Sequence, residues 1–423
     1  MAVPRKRLAL VVQRYGEDVN GGAEVHARLL AEHLSTRHDI EVLTSCARDY
    51  VDWASVYPPG PTVVGGLRVI RFEHPRRNDI GRARVPLVHK LRFLLRHLPR
   101  QLSRHPLVSK PRGAAAYDGN DYLRRQGPHC PALMEFLDAA GQRYDAVIFF
   151  AALYEPTALG LQHWGARSIL VPLLHDEKPM YLPVFHHVFR SAGALLFNTE
   201  TERQLAHRLY GIDTGAAVVA GLGIDMRRPA AEEIAATLAR HGLTPGYLVY
   251  VGRIEKAKGC DVLVAAFLAH LRRYPSARLV LVGKASWAVP PHPRIHCTGF
   301  ATDADRDGLM AGAAALFIPS RFESLSLVLL EAMLMGIPVI ANAECEVLAE
   351  HVRLSGAGLA YRGRRALTQA MATVTCLPAD ERERWRQHGM HYVSSRYEWA
   401  RVLQVFDEAI ARVSKSSAMA GTP

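Results

Sequence analysis

The sequence predicts an α/β protein of two units, each built on a parallel sheet, with a ligand cleft between them. Three observations carry this. Short apolar runs alternate with helical patterns from Leu8 to Phe197. A turn-rich segment, Ala220-Gly221-Leu222-Gly223-Ile224-Asp225, then breaks the rhythm. The same alternation restarts at Tyr247. At 423 residues the chain is too long for one ordinary domain. Strand–helix–strand units imply parallel strands and right-handed crossovers.

In the first unit, Leu8–Val12 reads as a strand and Arg14–Gly22 as a loop ending in Asn20-Gly21-Gly22. Ala23–Ser35 has helical spacing, with Ala27, Leu30 and Leu34 on one stripe, and Ile40–Thr44 is the next strand. Strands follow at Ala146–Phe150, Ser168–Pro172 and Ala194–Phe197. The boundary falls near residue 222, dividing the chain into 1–222 and 223–391. The second unit reads as strands Tyr247–Val251, Arg278–Val282, Ile295–Thr298, Ala315–Pro319 and Pro338–Ala341. Helices over Asp261–Tyr274, Ala304–Ala313 and Ser326–Met335 lie between them. Residues 392–413 read as one long helix completing the first unit, and 414–423 as a polar, disordered tail.

Composition narrows the function. Hydrophobic content of 49% and charged content of 22% are those of a soluble globular protein. The basic, then briefly apolar start MAVPRKRLALVVQ is too short for a signal-peptide core, and no run approaches the roughly 18 apolar residues of a membrane span. Six scattered cysteines without a C-x-x-C pair read as free thiols in a reducing cytosol, with no structural zinc. The net charge is +12, yet residues 76–125 hold 13 Lys/Arg against three Asp, a net of +10. One inserted segment therefore makes the protein basic, which points to a local anionic partner. Within it Leu87, Leu91, Leu94, Leu95 and Leu98 form a helical stripe, with Lys90, Arg92, Arg96 and Arg100 largely off it. Such a helix either lies on an anionic membrane or covers the first unit.

Four stretches carry candidate chemistry. Val251-Gly252-Arg253-Ile254-Glu255-Lys256-Ala257-Lys258 follows the second unit's first strand: a glycine turns the backbone and Arg253 and Lys258 follow, suited to a pyrophosphate or to a plain solvated loop. Glu323 and Glu331, separated by seven residues, follow the strand Ala315–Pro319, and Glu331 is embedded in an apolar helix pattern. Two fixed carboxylates at a crevice suit a ligand rich in hydroxyls, and a carboxylate inside so apolar a run must be paired or hydrogen-bonded. His175 and Asp176 follow the strand Ser168–Pro172, where a His-Asp pair can bind an acceptor or handle a proton, although 20 histidines make a structural role common. Gly21 and Gly22 precede a helix and offer its free amides.

Together these residues resemble the family-4 retaining glycosyltransferases of GT-B architecture, in which two Rossmann-like domains face an interdomain cleft. The resemblance runs nearly end to end, through NGGAEVHARLLAEHLSTRHDIEVLTS, LLFNTETER, VVAGLGID, VGRIEKAKGCDVLVAAF and ESLSLVLLEAM. It implies that Arg253 and Lys258 hold the donor diphosphate beside Gly252. Glu323 contacts the donor sugar and Glu331 the ribose, while backbone amides around Ser324, Leu325 and Ser326 add to the phosphate site. Gly21 and Gly22 lie near the donor phosphate and the acceptor. His175 lines the reaction centre, and a last helix beginning at Tyr397 and Trp399 crosses back to the first domain. Where many relatives carry glycine or proline after the first glutamate, this chain has Ser324-Leu325-Ser326. Asp176 is given no catalytic role, and 76–125 is a variable region of the family.

The expected reaction moves a sugar from a nucleotide-diphosphate donor to a hydroxyl with retention, in surface polysaccharide or glycolipid assembly. No D-x-D motif is placed to hold a divalent ion, and no carboxylate nucleophile is evident in the first unit. A metal-independent same-face reaction without a cofactor fits best, the leaving phosphate taking the acceptor proton. The expected partners are a nucleotide-sugar, a saccharide or lipid-linked acceptor, and an anionic membrane through 76–125, with no nucleic acid. The expected location is the cytoplasm, peripheral on the inner membrane face. Alternatives are a nucleotide-sugar epimerase on the same architecture, a basic nucleic-acid-binding protein, and a dinucleotide dehydrogenase, which the lack of G-x-G-x-x-G disfavours.

Overall fold

The computed structural model describes residues 4–19, 21–76, 81–96, 118–141, 143–213, 217–225 and 228–419. Two compact units divide it: residues 1–222 with 402–423, and residues 223–401. Much of the basic segment, including Leu98 and Arg100, lies outside the described residues.

The first unit's sheet contains β1 (Arg7–Val11), β2 (Asp39–Ser45), β3 (Gly60–Val64), β4 (Leu67–Phe72), β5 (Ala146–Phe150), β6 (Ser168–Val171), β7 (Ala194–Phe197) and β8 (Ala217–Val219). Their order is β3-β4-β2-β1-β5-β6-β7-β8. All neighbours are parallel except β3 and β4, whose hairpin closes through Gly65 (φ 56°) and Gly66 (φ 78°). Two positive φ values in succession match the twist of a two-residue hairpin. This hairpin was not predicted. β3 is an edge strand reading Gly-Pro-Thr-Val-Val, and proline is tolerated at an edge. β5 and β6 are buried throughout, which explains their unbroken apolar runs.

The second unit's sheet holds β9 (Leu248–Val251), β10 (Leu279–Val282), β11 (Ile295–Gly299), β12 (Ala315–Ile318), β13 (Val339–Asn342) and β14 (Gly358–Tyr361). Every neighbouring pair is parallel, in the order β11-β10-β9-β12-β13-β14. Counted within the unit this is 3-2-1-4-5-6, the Rossmann arrangement. Helices such as Cys260–His270, with Leu263, Val264 and Phe267 buried, close the core over the sheet.

The predicted single helix over 392–413 is two helices, Ala379–Arg396 and Trp399–Met419. The chain breaks at Tyr397, whose carbonyl accepts the Ile224 amide at 2.8 Å instead of continuing the helical ladder. The second helix reaches Met419, so Ser414–Met419 are helical rather than a disordered tail. Its Asp407 holds Arg37 (2.5 Å) and His38 (2.9 Å) within the first unit.

The basic helix spans Leu87–Arg96. His89 is 4% exposed, and Phe93 meets the Tyr181 ring edge-on at 5.4 Å. Leu87, Leu91 and Leu94 are 71%, 48% and 53% exposed, so these leucines do not cover the first unit.

Candidate functional site

In the second unit, β9 comes first in the chain yet lies between β10 and β12. The strand order reverses there, and the loops leaving the two carboxyl ends flank a crevice. The loop after β9 carries Gly252, Arg253 and Lys258; the loop after β12 carries Glu323 to Ser326. Glycine is required at three positions. Gly252 sits at φ 143°, and a Cβ on Gly283 would fall 2.1 Å from the Gly252 carbonyl oxygen. Gly259 (φ 77°) ends the turn Lys256–Lys258 and caps the helix Cys260–His270; a Cβ there would fall 2.7 Å from the Pro319 carbonyl oxygen. The chain after β9 is thus pressed against the end of β12. That approach brings Lys258 Nζ to 2.8 Å from Glu323 Oε1, with both side chains partly exposed. Arg253 lies 3.3 Å from Glu255.

Ser326 caps the helix Leu327–Leu334 at φ 66°, ψ 77° with no side-chain capping bond, and its Oγ is buried without a partner. A non-glycine residue in the left-handed region marks strain. The loop supports it: the Leu325 carbonyl accepts from His351 Nε2 at 2.9 Å, and Tyr392 Oη lies 2.9 Å from His351 Nδ1. Burial lowers the His351 pKa to about 4, so the ring is neutral and its Nε2–H donates. The amides of the helix's first turn are those a helix start leaves free.

Glu331 is half-buried one helical face on. Burial raises its pKa, and the nearby Arg306 guanidinium opposes the rise. Arg306 also pairs with Asp303 (3.2 Å) and Asp307 (2.8 Å). Asp305 is bound to Arg240. Among the described residues, no group of three His, Cys, Asp or Glu is arranged to hold a metal.

In the first unit, β1 lies between β2 and β5, the same reversal of order. Gly21 precedes the helix Gly22–Ser35, and a Cβ on it would fall 2.1 Å from Glu24 Oε2. Glu24 is buried with Arg14 at 2.5 Å, and Gln13 Nε2 donates to it at 2.8 Å. Gly22 has nothing within 4 Å of a built Cβ. His175, after β6, lies 3.6 Å from Glu177, and Tyr181 donates to Asp176 at 2.7 Å. Trp53, Ala151, Leu173 and Ser326 are the positive-φ non-glycine residues among the described residues. Each lies in a loop leaving the carboxyl end of a parallel strand: β2, β5, β6 and β12. Backbone strain therefore collects on the edge where such sheets bind ligands.

The structure thus joins Lys258 to Glu323, places Ser324–Ser326 and Gly252 on the same edge, and sets Glu331 against Arg306. The Arg14–Glu24 pair and a buried carboxylate at Glu202 escaped the sequence reading. The one signal for Glu202 was Thr199-x-x-Glu202, a capping-box pattern.

Two parallel sheets in two units, each with its loops at a reversal of strand order, define the GT-B architecture. The family described as "Glycosyl transferases group 1" matches residues 245–376. The D-inositol 3-phosphate glycosyltransferase of Nocardia farcinica is 31% identical over 242 residues, covering 50% of this chain and 51% of that protein. The chain therefore aligns with about half the length of this curated relative. Among solved structures, sucrose-phosphate synthase from Thermosynechococcus elongatus superposes with TM-score 0.66 at 18% identity, over 99% of this chain and 100% of that one. Anabaena HepE in complex with UDP and glucose superposes with TM-score 0.64 at 16% identity, over 96% and 100%. The chain has the fold of the GT-B glycosyltransferases, and its second unit carries a group 1 glycosyl transferase domain.

Proposed function

We propose that this protein is a retaining glycosyltransferase of the family-4 type, moving a sugar from a nucleotide-diphosphate donor to a hydroxyl acceptor. The Lys258–Glu323 pair carries the reading. A cation and a carboxylate held 2.8 Å apart at the switch point match a ligand with an anionic pyrophosphate next to a hydroxyl-rich ring. Without donor the two neutralise each other. With donor, Lys258 and Arg253 turn to the phosphates and Glu323 is released to the sugar hydroxyls. The first-turn amides of the helix after Ser326 add positive potential at the phosphates. Glu331, held beside Arg306, takes the ribose.

The leaving diphosphate gathers negative charge in the transition state. Arg253, Lys258 and the helix start stabilise that charge without a metal, and the phosphate takes the acceptor proton. His175, carried by the first unit, is assigned to the reaction centre by the family resemblance, as are Gly21 and Gly22 to the phosphate and acceptor. The acceptor is a saccharide, free or lipid-linked, in polysaccharide or glycolipid assembly. The exposed leucines of the helix Leu87–Arg96, in a segment of net charge +10, support peripheral binding to an anionic inner-leaflet surface. Among the described residues no helix is long and apolar enough to cross a membrane.

A panel of UDP-, GDP-, ADP- and dTDP-glucose in a thermal-shift assay tests the donor site. At a ligand concentration of about 100 Kd, one donor stabilises the protein by ~2.7 kcal/mol and raises Tm. No shift with any of the four, together with no nucleoside diphosphate release, would sink the assignment. An NMR time course with the selected donor alone separates the epimerase, which would convert the sugar without acceptor.

A further inference from the structure

Glu202 lies in the first turn of the helix Glu200–Tyr210 and is 1% exposed. Its position three residues after the N-cap Thr199 predicts an ordinary capping box, in which the glutamate bonds back to its own helix start. The side chain reaches further. One carboxylate oxygen accepts the Leu174 amide at 2.6 Å, and the other accepts the Asn198 amide at 2.6 Å. These amides belong to different loops. Asn198 directly follows β7, and Leu174 lies in the loop after β6 that carries His175. The carboxylate therefore ties together the ends of two neighbouring strands.

The His175 loop needs such a tie. Leu173 sits at φ 51°, a left-handed conformation unfavourable for a leucine. Strain of this kind persists only where the surroundings hold it. A buried carboxylate accepting two short amide bonds is such a restraint. Burial raises the Glu202 pKa to about 7, while the amides of Asn198 and Leu174 and the charge of His175 oppose the rise.

We infer that Glu202 is a positioning residue: it clamps the strained Leu173–Leu174 turn to the end of β7 and so fixes the backbone from which His175 projects. The inference rests on the proposed place of His175 at the reaction centre. It adds that this histidine's placement is set by a carboxylate on the helix Glu200–Tyr210.

Four variants of the full chain test it: E202Q, E202D, T199A and H175A. Glutamine puts an NH2 group against an amide N–H, and aspartate is one carbon too short to span both amides. T199A removes the helix cap and leaves the clamp, which makes it the stability control. Hydrogen exchange of the unliganded protein reads the 172–177 peptide. Turnover is read with whichever of UDP-, GDP-, ADP- or dTDP-glucose raises Tm most. The clamp predicts at least tenfold faster exchange at Leu174 in E202Q and E202D. It also predicts at least a tenfold lower kcat, with donor KM within about twofold. T199A should lower Tm while leaving exchange of 172–177 and kcat near wild type. If E202Q fails to fold, E202D carries the same expectations. Unchanged exchange, or a loss of kcat that tracks Tm across T199A and the Glu202 variants, overturns the clamp. Faster exchange with kcat intact while H175A is inactive overturns the positioning role alone. An active H175A overturns the reading of His175, and the positioning role with it.

Discussion

Replacing Lys258 by alanine separates catalysis from folding at this site. The ammonium lies 2.8 Å from Glu323, and the two side chains are 27% and 20% exposed. Such a partly hydrated pair contributes no more than about 1 kcal/mol to stability. K258A should therefore lower Tm by only about 2–4 °C for a unit of this size. The effect on the reaction is larger. If Lys258 meets the developing charge on the leaving diphosphate, its loss resembles loss of an oxyanion donor, ~2.7–4 kcal/mol, or roughly 10²–10³ in kcat. Initial rates of nucleoside diphosphate release, measured against donor concentration, would give kcat and KM, and scanning calorimetry would give Tm. E323A should also be strongly impaired. The K258A/E323A double variant should fall short of the product of the two losses, because the residues share one ligand and one contact. K258A with kcat/KM within about threefold of wild type, and Tm lowered as expected, would refute the donor-site reasoning: the pair would be broken and the chemistry untouched.

Three further outcomes follow from the geometry. S326G relieves a left-handed serine and removes a buried unpaired hydroxyl, so it should stabilise the protein by ~1 kcal/mol and raise Tm by about 2–4 °C without loss of donor binding. Burial brings the His351 pKa down to about 4 from the ordinary 6.5, so its contribution is complete above pH 6.5 and falls as pH drops toward 4. At pH 5 about 2 kcal/mol of it is lost, and H351Q should show a flatter fall of Tm between pH 7 and 5. The triple change L87S/L91S/L94S should leave Tm unchanged, since these leucines are exposed, and lower flotation with phosphatidylserine-containing vesicles at least tenfold. Undiminished flotation would remove the membrane from the proposal.

Legibility in the sequence followed burial. β5, β6, β9, β10 and β12 are four- or five-residue apolar runs because they are covered on both faces, and each was predicted to within a residue or two. β3 and β4 went unseen because an edge hairpin has no such run, and β14, Gly-Leu-Ala-Tyr, is too short to show a period. The break at Tyr397 was invisible because it depends on Ile224, an amide 173 residues away in sequence. Residue types at the candidate site were readable, since Arg253, Lys258 and Glu323 follow recognisable strand ends and Glu331 sits in an apolar helix. Their partners were not: the Arg14–Glu24 pair under Gly21 and the reach of Glu202 to Leu174 depend on how loops from different strands stack.

Because the main chain at Gly259 abuts the Pro319 carbonyl, the separation of the loops that carry Lys258 and Glu323 is set by peptide geometry, and only their side chains swing. The two loops move as one piece. Under the proposed donor reading, a change of sugar preference has little room to widen or narrow the interval between these loops and must come from residues that shape the walls around a fixed ruler.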